Sequence, residues 1–273
     1  MGRVFEHHHL QQGDRVALLA PNHISYFDIL FACMKTGTVF VPLNWRLRDE
    51  ELCYILDDSA RGLVAVHHQF KEKLTLIEKT YPTLQISDET YIDKWEASET
   101  RSVASMAEED PLAMIYTGGT TGKPKGAVLS HRSILWNALN TIISWDLSKE
   151  DTTLTCIPMF HTGGLNALSI PVLLAGGTVV VSEAFEPAQA VRDLVTYRCT
   201  IVLFVPTMYH MIIQTERFRH EHFTDMKVFL SGGAPCPIAI YEAFAAKTLD
   251  FKEGYGLTEA GPNNFFITPK EGE

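Results

Sequence analysis

The 273-residue sequence has no C-x-x-C pair, no uninterrupted apolar run of membrane-spanning length and no excess of positive charge. Its five cysteines, Cys33, Cys53, Cys156, Cys199 and Cys236, lie far apart. That scatter excludes the spacing of a structural zinc site and of a small disulfide framework, and it fits a reducing cytoplasm. The formal net charge of -10 argues against a nucleic-acid partner, because a phosphate backbone calls for a basic face. A small anion remains open to it, since a few lysines and backbone N–H groups suffice to hold one. Without a spanning run or a signal-peptide pattern, the chain is expected to be soluble and cytoplasmic, with no transmembrane segment. His7, His8 and His9 read as an exposed polar turn or a tag remnant and not as a metal site.

What is present is ordinary in bulk and specific in detail. Hydrophobic residues make up 46% and charged residues 21%, a globular balance with ample core for the length. Short β-rich runs alternate with amphipathic runs. Arg15–Ala20, Thr38–Leu43 and Leu63–Val66 read as strands, with helices over Ser25–Met34 and Asp49–Asp58. Gly37 closes the first of these helices. Ser87–Asp110 is acidic and weakly periodic and reads as a connection. Beyond it, strands are expected at Leu112–Tyr116, Ala127–Ser130, Leu154–Ile157, Val179–Val181, Ile201–Val205 and Val228–Leu230. Helices are expected at Ser133–Ile143 and near Leu165–Leu174, Pro187–Tyr197, Met208–Gln214 and Ile238–Lys247. Such alternation implies an α/β fold with mostly parallel sheets.

The most informative stretch is Tyr116-Thr-Gly-Gly-Thr-Thr-Gly-Lys-Pro-Lys-Gly126, directly after an expected strand. Glycines let the backbone approach a phosphate closely and turn its N–H groups inward. Thr117, Thr120 and Thr121 add hydroxyl donors, and Lys123 or Lys125 supplies positive charge. A Walker A loop is excluded. Thr117 stands where its first glycine belongs, and Pro124 replaces the Ser/Thr that follows its lysine. The bland alternative is a solvated hairpin. A dinucleotide fingerprint is disfavoured as well, because Gly254-Tyr-Gly256 lacks the third glycine.

This loop resembles the phosphate-binding signature of the adenylate-forming (AMP-binding) superfamily, in its acyl-CoA synthetase and long-chain fatty-acid CoA ligase branch. The usual form is Y-T-S-G-T-T-G-x-P-K-G. Gly118 departs from it where serine is common, and that variant is closer to fatty-acid CoA ligases than to the amino-acid-activating branch. Lys35–Leu47, Pro158–Gly164, Ser231–Pro235 and Gly254–Gly261 match further family segments in the right order. The resemblance implies two similar layered α/β/α subdomains, placed here at 1–105 and 106–273.

It also implies roles. Thr117, Gly119, Thr120, Thr121, Gly122 and Lys125 would cradle the phosphates of ATP. Gly233, Ala234, Pro235, Gly254, Tyr255 and Gly256 would hold the adenine. Thr258 would donate to the α-phosphate, Glu259 would bind Mg2+, and His161 would be a donor and gate beside the acyl carboxylate. The Phe204–Ile213 run reads either as an acyl-tunnel wall or as core, while His67, His68 and His131 read as structural.

The expected activity is ATP-dependent conversion of a fatty acid to acyl-AMP and then to its coenzyme A thioester. The alternatives are an aryl-acid CoA ligase and a catalytically silent nucleotide- or acyl-binding module. A complete family member continues past the Glu259 motif into a ribose-contacting segment and a small mobile domain carrying a catalytic lysine. The chain is therefore expected to be a truncated N-terminal part with impaired turnover, prone to self-association or homodimerisation through exposed edges.

Overall fold

In the computed structural model of the protein, residues 1–59, 62–87, 105–118 and 122–266 are described. They form two compact units, Met1–Ser133 and Ile134–Glu273. Most of the connection expected over Ser87–Asp110 lies outside the described residues.

The first unit runs α1 (Gly2–His7), β1 (Arg15–Leu19), α2 (Ser25–Thr36), β2 (Val39–Pro42), α3 (Asp49–Ser59), β3 (Gly62–His67), α4 (Lys71–Ile77), β4 (Thr83–Ile86), β5 (Pro111–Thr117) and β6 (Lys125–Ser130). Its six strands take the order β4-β3-β1-β2-β5-β6. All neighbours are parallel except β6, which runs antiparallel to β5. The central strands are apolar on both faces, as a sheet covered from both sides requires: Val16, Leu18, Leu19, Phe40 and Val41 are all buried. Gly37 ends α2 in the left-handed conformation at φ 73°, and its amide bonds to the Cys33 carbonyl. Ser25 is the first residue of that helix, with Ile24 in the cap position.

The expected boundary at 105/106 differs from the division between these compact units. Strands β5 and β6 belong to the first sheet, so the division falls after Ser133. The physical reason is burial: Met114 and Tyr116 of β5 pack onto the cluster built by Leu52, Ile55 and Leu56 of α3. A hydrophobic strand goes where an unfilled sheet edge and an apolar helix face meet, whatever the composition of the linker before it.

The second unit contains α5 (His131–Trp145, starting just before it), β7 (Thr152–Thr155), α6 (Thr162–Leu165), α7 (Ser169–Leu174), β8 (Thr178–Val181), α8 (Pro187–Thr196), β9 (Ile201–Phe204), α9 (Pro206–Ile213), α10 (Glu216–His220), β10 (Val228–Ser231), α11 (Ile238–Ala245), β11 (Phe251–Leu257) and β12 (Gly261–Phe266). Four strands take the order β12-β11-β10-β9, parallel apart from the β11–β12 hairpin, and β7 pairs parallel with β8. The two sheets meet where the Thr200 amide donates to the Thr152 carbonyl at 2.8 Å. The core is rich in aromatics, with Phe204, Tyr209, Phe229 and Phe244 fully buried and Tyr209 edge-on to Phe244 at 5.3 Å. The mixed α/β fold with mostly parallel sheets is as the alternation in the sequence implies.

The Phe204–Ile213 run is resolved in favour of core. Phe204, Met208, Tyr209 and Ile212 are buried in the aromatic cluster, and Val205 alone of this run reaches a cavity wall.

Candidate active site

In the first unit the glycine- and threonine-rich stretch closes the β5–β6 hairpin. Thr117 and Lys125 are cross-strand partners, and the Thr117 hydroxyl donates weakly to the Lys125 carbonyl at 3.5 Å. Gly122 sits at φ 88°, a region that disfavours side chains, so the glycine of the motif is demanded by the backbone. Gly119, Thr120 and Thr121 lie outside the described residues. The Lys125 side chain is exposed, whereas the Lys123 ammonium lies over the Tyr54 ring at 5.2 Å. Gly126 is fixed by packing: a Cβ there would meet the Met114 side chain at 2.8 Å.

In the second unit the candidate residues converge. His161, Gly233, Gly254, Gly256 and Thr258 line a cavity of about 440 Å³ whose remaining wall is largely apolar, with Trp145, Leu168, Leu203 and Leu230. Ala234, Pro235 and Tyr255 line a second recess of about 640 Å³ that shares Gly233, Gly254 and Gly256 with the first. The parallel pairing of β10 with β11 brings the Ser231–Pro235 turn and the Gly254–Gly256 segment side by side. A Cβ at Gly232 would lie 3.3 Å from the Gly254 carbonyl oxygen, and one at Gly256 only 1.9 Å from that of Pro262. The glycines therefore serve close backbone approach, and Gly233, at φ 82°, serves the turn itself.

His161 precedes α6 with an exposed ring, 4.4 Å from that of Phe160. Gly164 in the same motif is forced, since a Cβ would sit 2.4 Å from the Pro158 carbonyl oxygen. Tyr255 is 57% exposed, its ring 6.2 Å from Phe265, so it borders the second recess instead of filling core. Glu259 is exposed on the turn between β11 and β12 and is not among the residues lining either cavity. Among the described residues no group of three or more His, Cys, Asp or Glu is placed to hold a metal ion.

Several residues of this site carry no sequence signal that marks them. Trp145 ends α5 and forms part of the cavity wall. Asn263 lines the cavity and anchors β12, its amide donating to the Thr141 hydroxyl at 2.7 Å and to the Ala167 carbonyl at 2.8 Å. Glu253 accepts from the Cys236 amide at 3.2 Å and from the Tyr241 hydroxyl at 2.6 Å, tying the small-residue turn to β11. Burial, reinforced by that carboxylate, pushes the Tyr241 hydroxyl pKa up. Only the position of Glu253, one residue before Gly254, hints at its part.

The two recesses share a glycine-built wall, and the first adds a largely apolar one, so the site offers a flat slot beside an apolar chamber. The chain is a member of the AMP-binding enzyme family, which matches it over residues 1–273. It is 35% identical over 259 residues to feruloyl-CoA synthase of Amycolatopsis sp, covering 93% of this chain and 51% of that protein. It is 31% identical over 258 residues to the long-chain-fatty-acid--CoA ligase FadD13 of Mycobacterium tuberculosis, with 92% and 51% covered. Among solved structures, the inhibitor-bound N-terminal domain of FACL13 from Mycobacterium tuberculosis superposes with a TM-score of 0.90 at 28% identity, covering 98% of this chain and 69% of that one. ATP-bound MatB from Rhodopseudomonas palustris gives 0.88 at 28% identity, covering 98% and 54%. The chain thus spans about half the length of the curated relatives it matches.

Proposed function

We propose that this protein activates a carboxylic acid with ATP, forming an acyl-AMP and pyrophosphate, with passage of the acyl group to coenzyme A as the second half of the reaction. The observation that carries this reading is the 440 Å³ cavity, where His161 and Thr258 stand on the same walls as Trp145, Leu168 and Leu230. An acid can lay its apolar body against the second group and turn its carboxylate to the first.

Both reactants are anionic, so rate depends on neutralising charge and on in-line positioning. Lys125 would supply positive charge to the departing β- and γ-phosphates. Tyr255, Gly233, Ala234 and Pro235 hold the base, which leaves Thr258 to donate at the α-phosphate. Glu259, as a single carboxylate beside Thr258, fits the donor set that Mg2+ takes when phosphate oxygens and waters complete its shell. That ion would supply charge neutralisation on the phosphates. Free cysteines at Cys33, Cys53, Cys156, Cys199 and Cys236 suit a cytoplasmic setting.

The acid is assigned to the fatty class. A second reading, an aryl acid, draws on the indole of Trp145 in the cavity wall and on two relatives, feruloyl-CoA synthase at 35% and indoleacetate--CoA ligase at 31% identity. Acyl-AMP and pyrophosphate formation, measured with ATP, Mg2+ and a panel of fatty and aryl acids, decides between them. Product that vanishes in Lys125→Ala and Glu259→Ala supports adenylation, and the preferred acid names the class. A folded chain that binds an acyl-AMP analogue but releases no pyrophosphate points to a binding module.

A further inference from the structure

Helix α3 (Asp49–Ser59) ends against the hairpin that bears the phosphate motif, and two of its side chains reach that hairpin. The hydroxyl of Tyr116, the next-to-last residue of β5, donates to Asp58 at 2.6 Å. Just before β6, the Lys123 ammonium lies over the ring of Tyr54, one helical turn before Asp58. A third tie holds the helix end itself, where the Tyr81 hydroxyl donates to Asp57.

We propose that the C-terminal turn of α3 positions the phosphate hairpin, with Asp58 gripping one arm through Tyr116 and Tyr54 gripping the other through Lys123. This inference rests on the nucleotide reading given above. It assigns Tyr54, Asp58 and Tyr116 as positioning residues, and it divides the two lysines. Lys123 is engaged by an aromatic face, so among the described residues of the hairpin Lys125, exposed on β6, is the cation left for phosphate. Ordering any chain segment on binding costs affinity. Tethering both arms in advance lowers that cost.

The test compares Tyr116→Phe, Asp58→Ala, Lys123→Met and the Tyr116→Phe/Asp58→Ala double variant, each confirmed folded by its thermal transition. Tyr116→Phe deletes only one oxygen, so it keeps the experiment informative if Asp58→Ala unfolds. Amide exchange over residues 122–126 is followed without nucleotide, and MgATP affinity is measured by calorimetry. Loss of one net hydrogen bond implies roughly fivefold faster exchange and a similarly weaker affinity, with the double variant no worse than either single one. Lys123→Met is expected to act in the same direction by roughly two- to threefold, the size of an exposed cation–π contact. Unchanged exchange in both Tyr116→Phe and Lys123→Met overturns the proposal. Faster exchange with unchanged MgATP affinity sustains the clamp and overturns the nucleotide reading of the hairpin.

Discussion

At Asp151 a carboxylate with no exposed surface accepts from the Lys227 ammonium at 2.7 Å, the Thr200 hydroxyl at 2.6 Å and the Ser148 amide at 2.8 Å. Burial alone would raise its pKa, but these donors outweigh it and hold the group below the ordinary carboxylate value. The sign follows directly. With the folded value below the unfolded one of about 3.9, the stabilisation is fully present above roughly pH 5 and is lost as pH falls through the folded value. Asp151→Asn is expected to cost about 1–3 kcal/mol at pH 7, read by urea unfolding, and to flatten the acid limb of stability against pH. An unaltered acid limb would assign acid unfolding to other carboxylates. Gly256 is a second single-atom constraint. Its missing Cβ leaves room for the Pro262 carbonyl, so Gly256→Ala is expected to cost about 2–4 kcal/mol and to loosen nucleotide binding, measured by denaturation and titration.

Elements were legible where a local rule decides them. Pro187 begins α8, and Glu186 before it caps that helix, accepting from the Ala188 amide at 3.1 Å and from the Gln189 amide. Glu186→Ala is expected to lower stability by about 1 kcal/mol in thermal or chemical unfolding, with nucleotide affinity unchanged. Gly37 marks the end of α2 for an equally local reason. The β11–β12 hairpin was not legible. No strand was expected beyond Val228–Leu230, because glycines at 254, 256 and 261 weaken strand propensity, which counts side chains that pack, whereas here the backbone itself packs. The short helices α1, α4 and α10 also carry too few turns for a periodic signal.

For the whole molecule, acidity is the property that composition sets. With a sequence pI of about 5.5 and a net charge of -10, self-repulsion keeps copies apart near neutral pH and fades as pH falls. Light scattering is expected to show association rising toward pH 5.5 and receding at pH 8. Association that persists at pH 8 would point instead to the exposed apolar side chains Leu135, Trp136 and Ile143 of α5. No helix among the described residues is long and apolar enough to cross a membrane.

The sequence by itself determined the α/β class, the position of most strands and helices, and the order of the family's motifs. Each of these depends on neighbours along the chain: periodicity, a capping residue, a glycine where φ turns positive. Only the tertiary structure decided that β5 and β6 complete the first sheet, that Asn263 anchors the hairpin and that Glu253 ties the small-residue turn in place. Tyr116 meets Asp58 across 58 residues, Lys227 meets Asp151 across 76 and Asn263 meets Thr141 across 122. Such contacts form only once distant segments are brought together by burial, and no local pattern records which partner each polar group will find.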